Sequence, residues 1–207
     1  MNPFETIESQ SQQWELEDDG IDIEYQGDFL PAEVATRLFE ALKQEIAWRR
    51  HVINTPGGPK TVPRMISWHA DEGLTYSYSG LTHKWQAWTP ALVEVRDRLA
   101  ALTGVSFNGC LANFYENERD SVSPHADDEA DMQEGAPIAS VSLGETREFV
   151  VKHMVTGSRH VIPLEHGSLL IMRGDTQKVS RHSVPKSKRA CGPRINMTFR
   201  QTLQNSP

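Results

Sequence analysis

Cysteine is scarce in this chain of 207 residues. Cys110 and Cys191 are too few for a disulfide framework, which favours a reduced, intracellular protein. No apolar run approaches the ~18 residues of a membrane span, and Met1–Gln13 lacks the apolar core of a signal peptide. We therefore expect an intracellular protein, cytoplasmic if bacterial, that acts as a monomer and has no membrane partner.

Basic residues are missing from the first 36 positions. That segment contains no Lys or Arg and ten acids, so the remaining chain has 28 − 10 = 18 acids against 21 bases, a balance of +3. The net charge of −7 is therefore weak evidence against a nucleic-acid partner, because such a partner requires only a local basic patch. A candidate patch is the stretch "RHSVPKSKRACGPR", which has no acid and contains Arg181, Lys186, Lys188, Arg189 and Arg194.

The chain length suits one domain with one core. We expect residues 1–20 to be a loosely ordered acidic leader and residues 21–207 to be a single domain. Two helices are predicted before residue 105. One runs from Pro31 to about Arg49, with an apolar stripe of Val34, Leu38, Leu42 and Ile46. The other has a Thr89 cap, Pro90 in its first turn and Gly104 at its end, with a stripe of Leu92, Val95, Leu99 and Leu102.

Short strands are predicted beyond Val105, separated by Gly and Pro. Their ranges are 106–115, 137–143, 147–153, 159–163, 168–172, 179–184 and 194–202. This pattern is typical of a sandwich or barrel. We predict an α+β fold in which the N-terminal helices flank a jelly-roll double sheet, with a functional site at its mouth.

His125 and Asp127 lie two residues apart, so in an extended chain their side chains point to the same side. A third metal ligand is expected from the β-rich half, where the candidates are His153, His160, His166 and His182. His182 stands in the strand-like "KVSRHSV". Two histidines and one carboxylate leave open positions on a metal, as in non-haem Fe(II) oxygenases.

The strand "RINMTFR" is unusual because alternation places Arg194, Asn196 and Arg200 on one face. A buried guanidinium without a partner is costly, and its planar fork matches a carboxylate. A metal beside a carboxylate-binding strand indicates 2-oxoglutarate, with one end on Fe(II) and the other on arginine.

Several motifs together resemble the AlkB family of Fe(II)/2-oxoglutarate-dependent nucleic-acid dealkylases. They are "NFY", "HADDE…PIASVSLGETREFVVKH", "HGSLLIM", "RHSVPK" and "PRINMTFR", which match in order across roughly residues 60–202. The resemblance implies a double-stranded β-helix core at about 105–202 and a nucleotide-recognition lid at about 50–80. The segment 50–64 carries no motif of its own.

The resemblance also implies roles for individual residues. The Fe(II) ligands are His125, Asp127 and His182. The 2-oxoglutarate contacts are Asn113, Tyr115, Arg194, Asn196 and Arg200. The substrate contacts are Tyr76 and Tyr78 in the lid segment "EGLTYSYSG", with Glu129, Asp128, Trp68 and Arg64. Beyond the metal ligands, no catalytic group is expected.

The implied activity is oxidative removal of N-alkyl groups from bases of DNA, RNA or both, using O2 and 2-oxoglutarate and releasing formaldehyde, succinate and CO2. One alternative is an oxygenase for a protein or small molecule. Another is a non-catalytic binding module, which would be expected to lose a metal ligand or an arginine. At single positions structural roles compete. Tyr115 can be a core residue, Tyr76 and Tyr78 can pack across a hairpin, and Trp68 can simply cover the loop. The arginines can form ion pairs, and Asp128 and Glu129 can be solvated.

Overall fold

The computed structural model describes residues 13–55, 57–78 and 81–203, with residues 53–55, 76–78 and 81–83 described by their backbone alone. Its helices are α1 (Ala32–Glu45), α2 (Pro90–Thr103) and α3 (Thr176–Val179). Its first strands are β1 (Gln13–Asp18), β2 (Ile21–Gln26), β3 (Arg49–Thr55), β4 (Gly58–Ala70), β5 (Thr75–Tyr78), β6 (Leu81–Lys84) and β7 (Gly109–Tyr115). The others are β8 (Val122–His125), β9 (Ile138–Gly144), β10 (Arg147–His153), β11 (Arg159–Leu164), β12 (Leu169–Arg173), β13 (Ser180–Val184) and β14 (Arg194–Arg200).

Two antiparallel sheets form the body of the molecule. The major sheet has eight strands in the order β1-β2-β12-β9-β14-β7-β4-β3, and the minor sheet has four in the order β11-β10-β13-β8. Strands β5 and β6 form a separate hairpin. The predicted jelly-roll architecture is confirmed. The seven strands predicted after Val105 all form, each with boundaries within three residues of the prediction.

The two long helices pack on the major sheet through its largest apolar cluster. Helix α1 buries Ala35, Leu38, Phe39 and Leu42. It ends at Glu45, before the predicted Arg49, because Ile46 is extended and Arg49 begins β3. In the described part of the chain, no helix is both long and apolar enough to cross a bilayer.

Helix α2 has the predicted capping residues. The Thr89 side chain accepts a hydrogen bond from the Leu92 N–H, Pro90 occupies the first turn, and Gly104 ends the helix in the left-handed region with φ of 70°. The predicted stripe is wrong at its last member, since Leu102 is 51% exposed. That position lies in the final turn of the helix.

The expected leader is wrong for its second half. Residues 13–18 form β1, which pairs with β2 at the edge of the major sheet. Trp14 stacks on Tyr25, with ring centroids 5.0 Å apart and planes at 21°. The high acid content suggested an unstructured segment, but alternate residues of β1 are partly buried on the sheet. The major sheet therefore includes residues before position 21.

The predicted boundary between the lid and the core also needs correction. Strands β3 and β4 extend the major sheet, with β4 paired along its second half to β7. The core is therefore not confined to residues 105–202. Most of the expected 50–80 lid thus belongs to the β3–β4 pair of that sheet, and β5 and β6 form a separate two-stranded sheet.

Trp68 of β4 packs directly against Gly109 of β7. Trp68 is 1% exposed, and a Cβ on Gly109 would stand 2.3 Å from its Cη2. We expect Gly109→Ala to destabilise the fold by ~1–3 kcal/mol through overpacking, measured by chemical denaturation. Gly192→Ala is the control, because its added Cβ would meet the flexible end of Glu145 at 3.2 Å. Combining Gly109→Ala with Trp68→Phe should recover part of the loss. Equal stability of Gly109→Ala and the wild type would contradict this packing.

Candidate metal and cosubstrate site

A cavity between the two sheets brings together the residues predicted to bind metal and cosubstrate. Its lining includes all three predicted metal ligands and all five predicted cosubstrate residues. Strands β8 and β13 of the minor sheet supply His125 and His182. Strands β7 and β14 of the major sheet supply the cosubstrate set. The cavity is thus the region where the minor sheet faces the major sheet.

His125, Asp127 and His182 form the one His/Cys/Asp/Glu cluster with metal-binding spacing among the described residues. Their ligand atoms lie within 4.8 Å of one another. His125 Nε2 is 3.6 Å from Asp127 Oδ1, and His182 Nε2 is 3.8 Å from Asp127 Oδ2. Strand pairing explains the convergence, because His182 is directly opposite His125 in the β13–β8 register.

The protonation states of this triad suit a metal ion. Burial lowers the pKa of His182 to about 3, although the Asp127 charge opposes that shift. Burial alone would raise the pKa of Asp127, but the charges of Arg200 and the histidines lower it to about 2. His125 Nδ1 is 2.9 Å from the Ser123 carbonyl oxygen, which can only accept. Nδ1 therefore carries the hydrogen, and Nε2 presents its lone pair.

Neighbouring side chains fix the orientation of the triad. The Asp127 N–H donates to Gln177 Oε1 at 2.9 Å. Arg200 Nη2 donates to Asp127 Oδ1 at 2.7 Å. The ring of Phe149 lies against His182, with centroids 5.2 Å apart. These contacts come from three separate elements, so the fold holds the carboxylate and the imidazole in place.

The strand register explains the polar wall opposite the triad. In β14, Arg194 is opposite Tyr115 and Asn196 is opposite Asn113 of β7. On its other side, Asn196 is opposite Ser142 of β9. Side chains directly opposite each other in neighbouring strands share one face of a sheet. The alternation predicted for 194, 196, 198 and 200 is thus reproduced, since all four line the cavity.

Arg194 provides the clearest sign that this wall binds an anion. The residue is 1% exposed. Its Nη2 donates to Ser142 Oγ at 2.8 Å, while Nε and Nη1 have no hydrogen-bond partner among the described residues. Its guanidinium lies 5.1 Å from the centre of the Tyr115 ring. Burial lowers the pKa of Arg194, because it removes water from the charged guanidinium. Binding of an anion that supplies hydrogen-bond acceptors would stabilise that charge.

The predicted substrate contacts occupy different positions. Arg64 is buried in the cavity wall, where Nε donates to Asn113 Oδ1 at 2.7 Å. Glu129 lies beside the cavity, with Oε2 3.8 Å from Arg200 Nη1. Asp128 points outward, with a side chain 60% exposed and 4.0 Å from Arg181. The side chains of Tyr76 and Tyr78 lie outside those described.

Trp68 is not part of the main cavity. It packs in a small apolar cluster with Ile66, Ala70, Leu74 and Leu111. One side of it borders a second cavity beside Gln86 and Lys84. Trp68 is therefore packed in the interior, not merely a cover for the loop, and it does not line the main cavity.

Several supporting residues were missed in the sequence. Ser140 accepts a hydrogen bond from Asn196 Nδ2 at 2.7 Å, and Ser142 holds Arg194. A signal was available, because "IASVSLG" places two serines at alternate positions of an otherwise apolar strand. Gln177 and Phe149 gave no such signal, since Gln177 binds Asp127 across 50 residues of chain and Phe149 reaches His182 through the pairing of β10 with β13.

Comparison with known proteins agrees with this geometry. The model of the family described as "2OG-Fe(II) oxygenase superfamily" matches residues 22–200. The human protein named DNA oxidative demethylase ALKBH2 is 38% identical over 196 residues, which cover 89% of this chain and 75% of that protein. The bovine protein named alpha-ketoglutarate-dependent dioxygenase alkB homolog 3 is 36% identical over 182 residues, covering 83% of this chain and 63% of that protein.

A solved structure supports the fold. The structure of OsALKBH1 covers 91% of this chain and is itself covered completely, with a TM-score of 0.65 and 17% sequence identity. At that identity the likeness concerns the fold alone.

The chain belongs to the 2OG-Fe(II) oxygenase superfamily and, within it, to the AlkB family. It is accordingly an Fe(II)/2-oxoglutarate-dependent dioxygenase. Retention of the three candidate metal ligands and of both arginines argues against the non-catalytic module considered from the sequence.

Proposed function

We propose that this protein repairs DNA by oxidative removal of N-alkyl groups from its bases. The oxygenase part rests on the buried guanidinium of Arg194. Two of its nitrogens have no hydrogen-bond acceptor among the described residues. The same cavity contains the His-Asp-His triad. The choice of DNA is supported by relatives 36–38% identical that are named DNA oxidative demethylases. The proposal includes an intracellular, monomeric enzyme, and RNA is a further substrate to be tested.

In this proposal His125, Asp127 and His182 hold Fe(II). No catalytic side chain is proposed beyond these ligands. When bound, the metal with 2-oxoglutarate and O2 supplies the oxidation of the N-alkyl carbon, and formaldehyde, succinate and CO2 are the products. Arg194 binds the distal carboxylate of 2-oxoglutarate, and Arg200 both orients Asp127 and lies beside the cosubstrate. Tyr115, Asn113 and Asn196 complete the polar wall.

The apolar part of the cavity protects the reaction from water. Its lining includes Val122, Phe149, Leu164, Met172 and Val184. A base must leave the stack to reach such an enclosed site, which costs a few kcal/mol. Of the predicted substrate contacts that the structure describes, Arg64 lies in the cavity wall and Glu129 beside Arg200, and we propose both as contacts of the extruded base. Tyr76 and Tyr78 stay candidates from the sequence.

The proposed function is tested by incubating the purified protein with Fe(II), 2-oxoglutarate and oligonucleotides that carry N-methylated bases. With methylated strands, formaldehyde and succinate should form in equal amounts. With unmethylated strands, only slow, uncoupled formation of succinate should occur, without formaldehyde. Single-stranded and duplex DNA and RNA form the four arms. If no oligonucleotide stimulates turnover while 2-oxoglutarate is still consumed, the substrate is of another class, such as a protein or small molecule.

The loop of residues 185–189, here the basic loop, is expected to attract the phosphate backbone. The loop borders a cavity of about 560 Å³, which is lined by its own residues Lys186, Lys188 and Arg189. Arg147 and Arg159 line the same cavity. Changing Lys186, Lys188 and Arg189 together to Ser should weaken oligonucleotide binding whatever the sequence. The slope of log affinity against log salt should also flatten by roughly one for each phosphate that the variant no longer neutralises.

The control for the basic loop removes three cations from the helical side of the molecule. Arg37, Lys43 and Arg98 lie on α1 and α2, and their change to Ser alters the net charge equally. This control should leave the salt slope nearly unchanged. Equal slopes for the two triple variants would exclude a specific role for the basic loop.

A further inference from the structure

Asp120 organises the turn between β7 and β8, here called the 116–121 loop. Asp120 is 4% exposed, and its Oδ2 accepts from the Glu116 N–H at 2.8 Å. Its two carboxylate oxygens also accept from Nη1 and Nη2 of Arg50, both at 3.1 Å. Arg50 belongs to β3, so this two-pronged ion pair ties the loop to the edge strand of the major sheet.

The same loop is joined to the basic loop. The Arg147 guanidinium donates to the Asp120 carbonyl at 2.9 Å and to the Pro185 carbonyl at 2.6 Å. The Ser187 N–H donates to the Glu118 carbonyl at 2.9 Å. Two independent connections therefore fix the position of residues 185–187 against the 116–121 loop.

The loop is connected to the cosubstrate wall as well. It begins immediately after Tyr115, whose ring lies 5.7 Å from the Arg147 guanidinium. The Ser121 N–H donates to the carbonyl of Pro63, the residue before Arg64. The loop is thus the junction of the β3–β4 hairpin, the basic loop and the cavity wall.

An ion pair with a buried partner is seldom the most stabilising choice for a site, because desolvation of the charges offsets much of their attraction. Its directional geometry can nevertheless fix one arrangement of the surrounding segments. Here the Asp120 carboxylate holds the β3–β4 hairpin through Arg50, and the carbonyl oxygen of the same residue holds the basic loop through Arg147.

We propose that Asp120 is a positioning residue that, through Arg50 and Arg147, sets the spacing of the β3–β4 hairpin and the basic loop so that both engage one nucleic-acid substrate. This inference rests on the proposed function and deepens it. It assigns part of the substrate affinity to a residue that need not touch the substrate.

Asp120→Asn provides a test in which two explanations predict opposite signs. The substitution removes one negative charge beside the basic loop, so electrostatics alone would strengthen the binding of a polyanion. A positioning role predicts the reverse: KM for a methylated oligonucleotide should rise about tenfold, within the usual range of coupling between sites. The KM for 2-oxoglutarate and kcat at saturating oligonucleotide should stay close to the wild type, a split that general loss of folding would not produce.

Glu118→Gln is the matched control. It makes the same charge change in the same loop, but the Glu118 side chain pairs with its exposed neighbour Arg119. This variant should keep the wild-type KM or lower it slightly. Arg50→Lys is a second variant, in case Asp120→Asn fails to fold. It retains the charge but loses the two-pronged geometry, so KM for the oligonucleotide should again rise.

Amide hydrogen exchange gives a readout that does not depend on activity. Asp120→Asn should speed exchange at the amides of Ser121 and Ser187, and Glu118→Gln should not. A wild-type enzyme that never releases formaldehyde from oligonucleotides would refute the proposed function. An active wild type with unchanged KM and unchanged exchange in Asp120→Asn and Arg50→Lys would refute the positioning role alone.

Discussion

Asp127→Ala should abolish formaldehyde release and weaken Mn(II) binding by at least about 100-fold. The carboxylate lies between His125 and His182, with one oxygen 3.6 Å from the first and the other 3.8 Å from the second. Its loss leaves two imidazoles without the carboxylate, and even substitutions outside the ligand set typically reduce metal affinity ~10–100-fold. Calorimetric titration with Mn(II), which avoids oxidation of iron, measures the effect.

Two further variants separate loss of the metal from loss of the fold. Asp127→Asn keeps the shape of the side chain and an acceptor for Arg200, so it should remain folded while still losing metal affinity. Asp128→Ala removes a neighbouring carboxylate that is 60% exposed and should bind Mn(II) as the wild type does. Wild-type Mn(II) affinity in Asp127→Asn and Asp127→Ala would remove Asp127 from the metal site.

Arg194→Lys should raise KM for 2-oxoglutarate by about 30-fold or more, because damage to a buried hydrogen-bonded charge pair costs ~2–5 kcal/mol. A lysine ammonium cannot reproduce the planar fork that Arg194 presents beside Tyr115. Mn(II) binding without cosubstrate should hardly change, since the described contacts of Arg194 are with Ser142 and Tyr115. Steady-state succinate formation and Mn(II) titration test the two halves of this prediction.

A cosubstrate without the distal carboxylate sharpens the assignment. With a short 2-oxo acid that lacks this group, the wild type and Arg194→Lys should show similarly poor turnover, because the proposed contact is missing in both. Arg173→Lys, at the partly exposed end of β12, is the control for arginine replacement elsewhere. An unaltered KM for 2-oxoglutarate in Arg194→Lys would show that the buried guanidinium serves the fold.

Arg200 is a less selective probe than Arg194. Its Nη2 is 2.7 Å from Asp127 Oδ1, so Arg200→Lys is expected to disturb the candidate metal ligand together with the cosubstrate wall. From the sequence alone the two arginines are equivalent members of "RINMTFR". The partner of each guanidinium distinguishes them, and that partner comes from another part of the chain.

Local chain geometry made much of this protein predictable from its sequence. Alternation in an extended chain predicted that Arg194, Asn196 and Arg200 share a face, since that property needs no information from other strands. The ends of α2 were equally local, because Thr89 and Gly104 act on the backbone of their own helix. The same reasoning placed His125 and Asp127 together.

Pairing between distant strands decided the rest. Four histidines were candidates for the third ligand, and spacing alone did not separate them; His182 stands opposite His125 because β13 pairs with β8. The sequence suggested a loosely ordered acidic leader over residues 1–20, but pairing with β2 makes residues 13–18 a strand. Trp68 and Asp120 are polar or aromatic residues of ordinary sequence context. Trp68 is buried against Gly109, and Asp120 is paired with Arg50. Both environments depend on sheet register and packing, which no local pattern encodes.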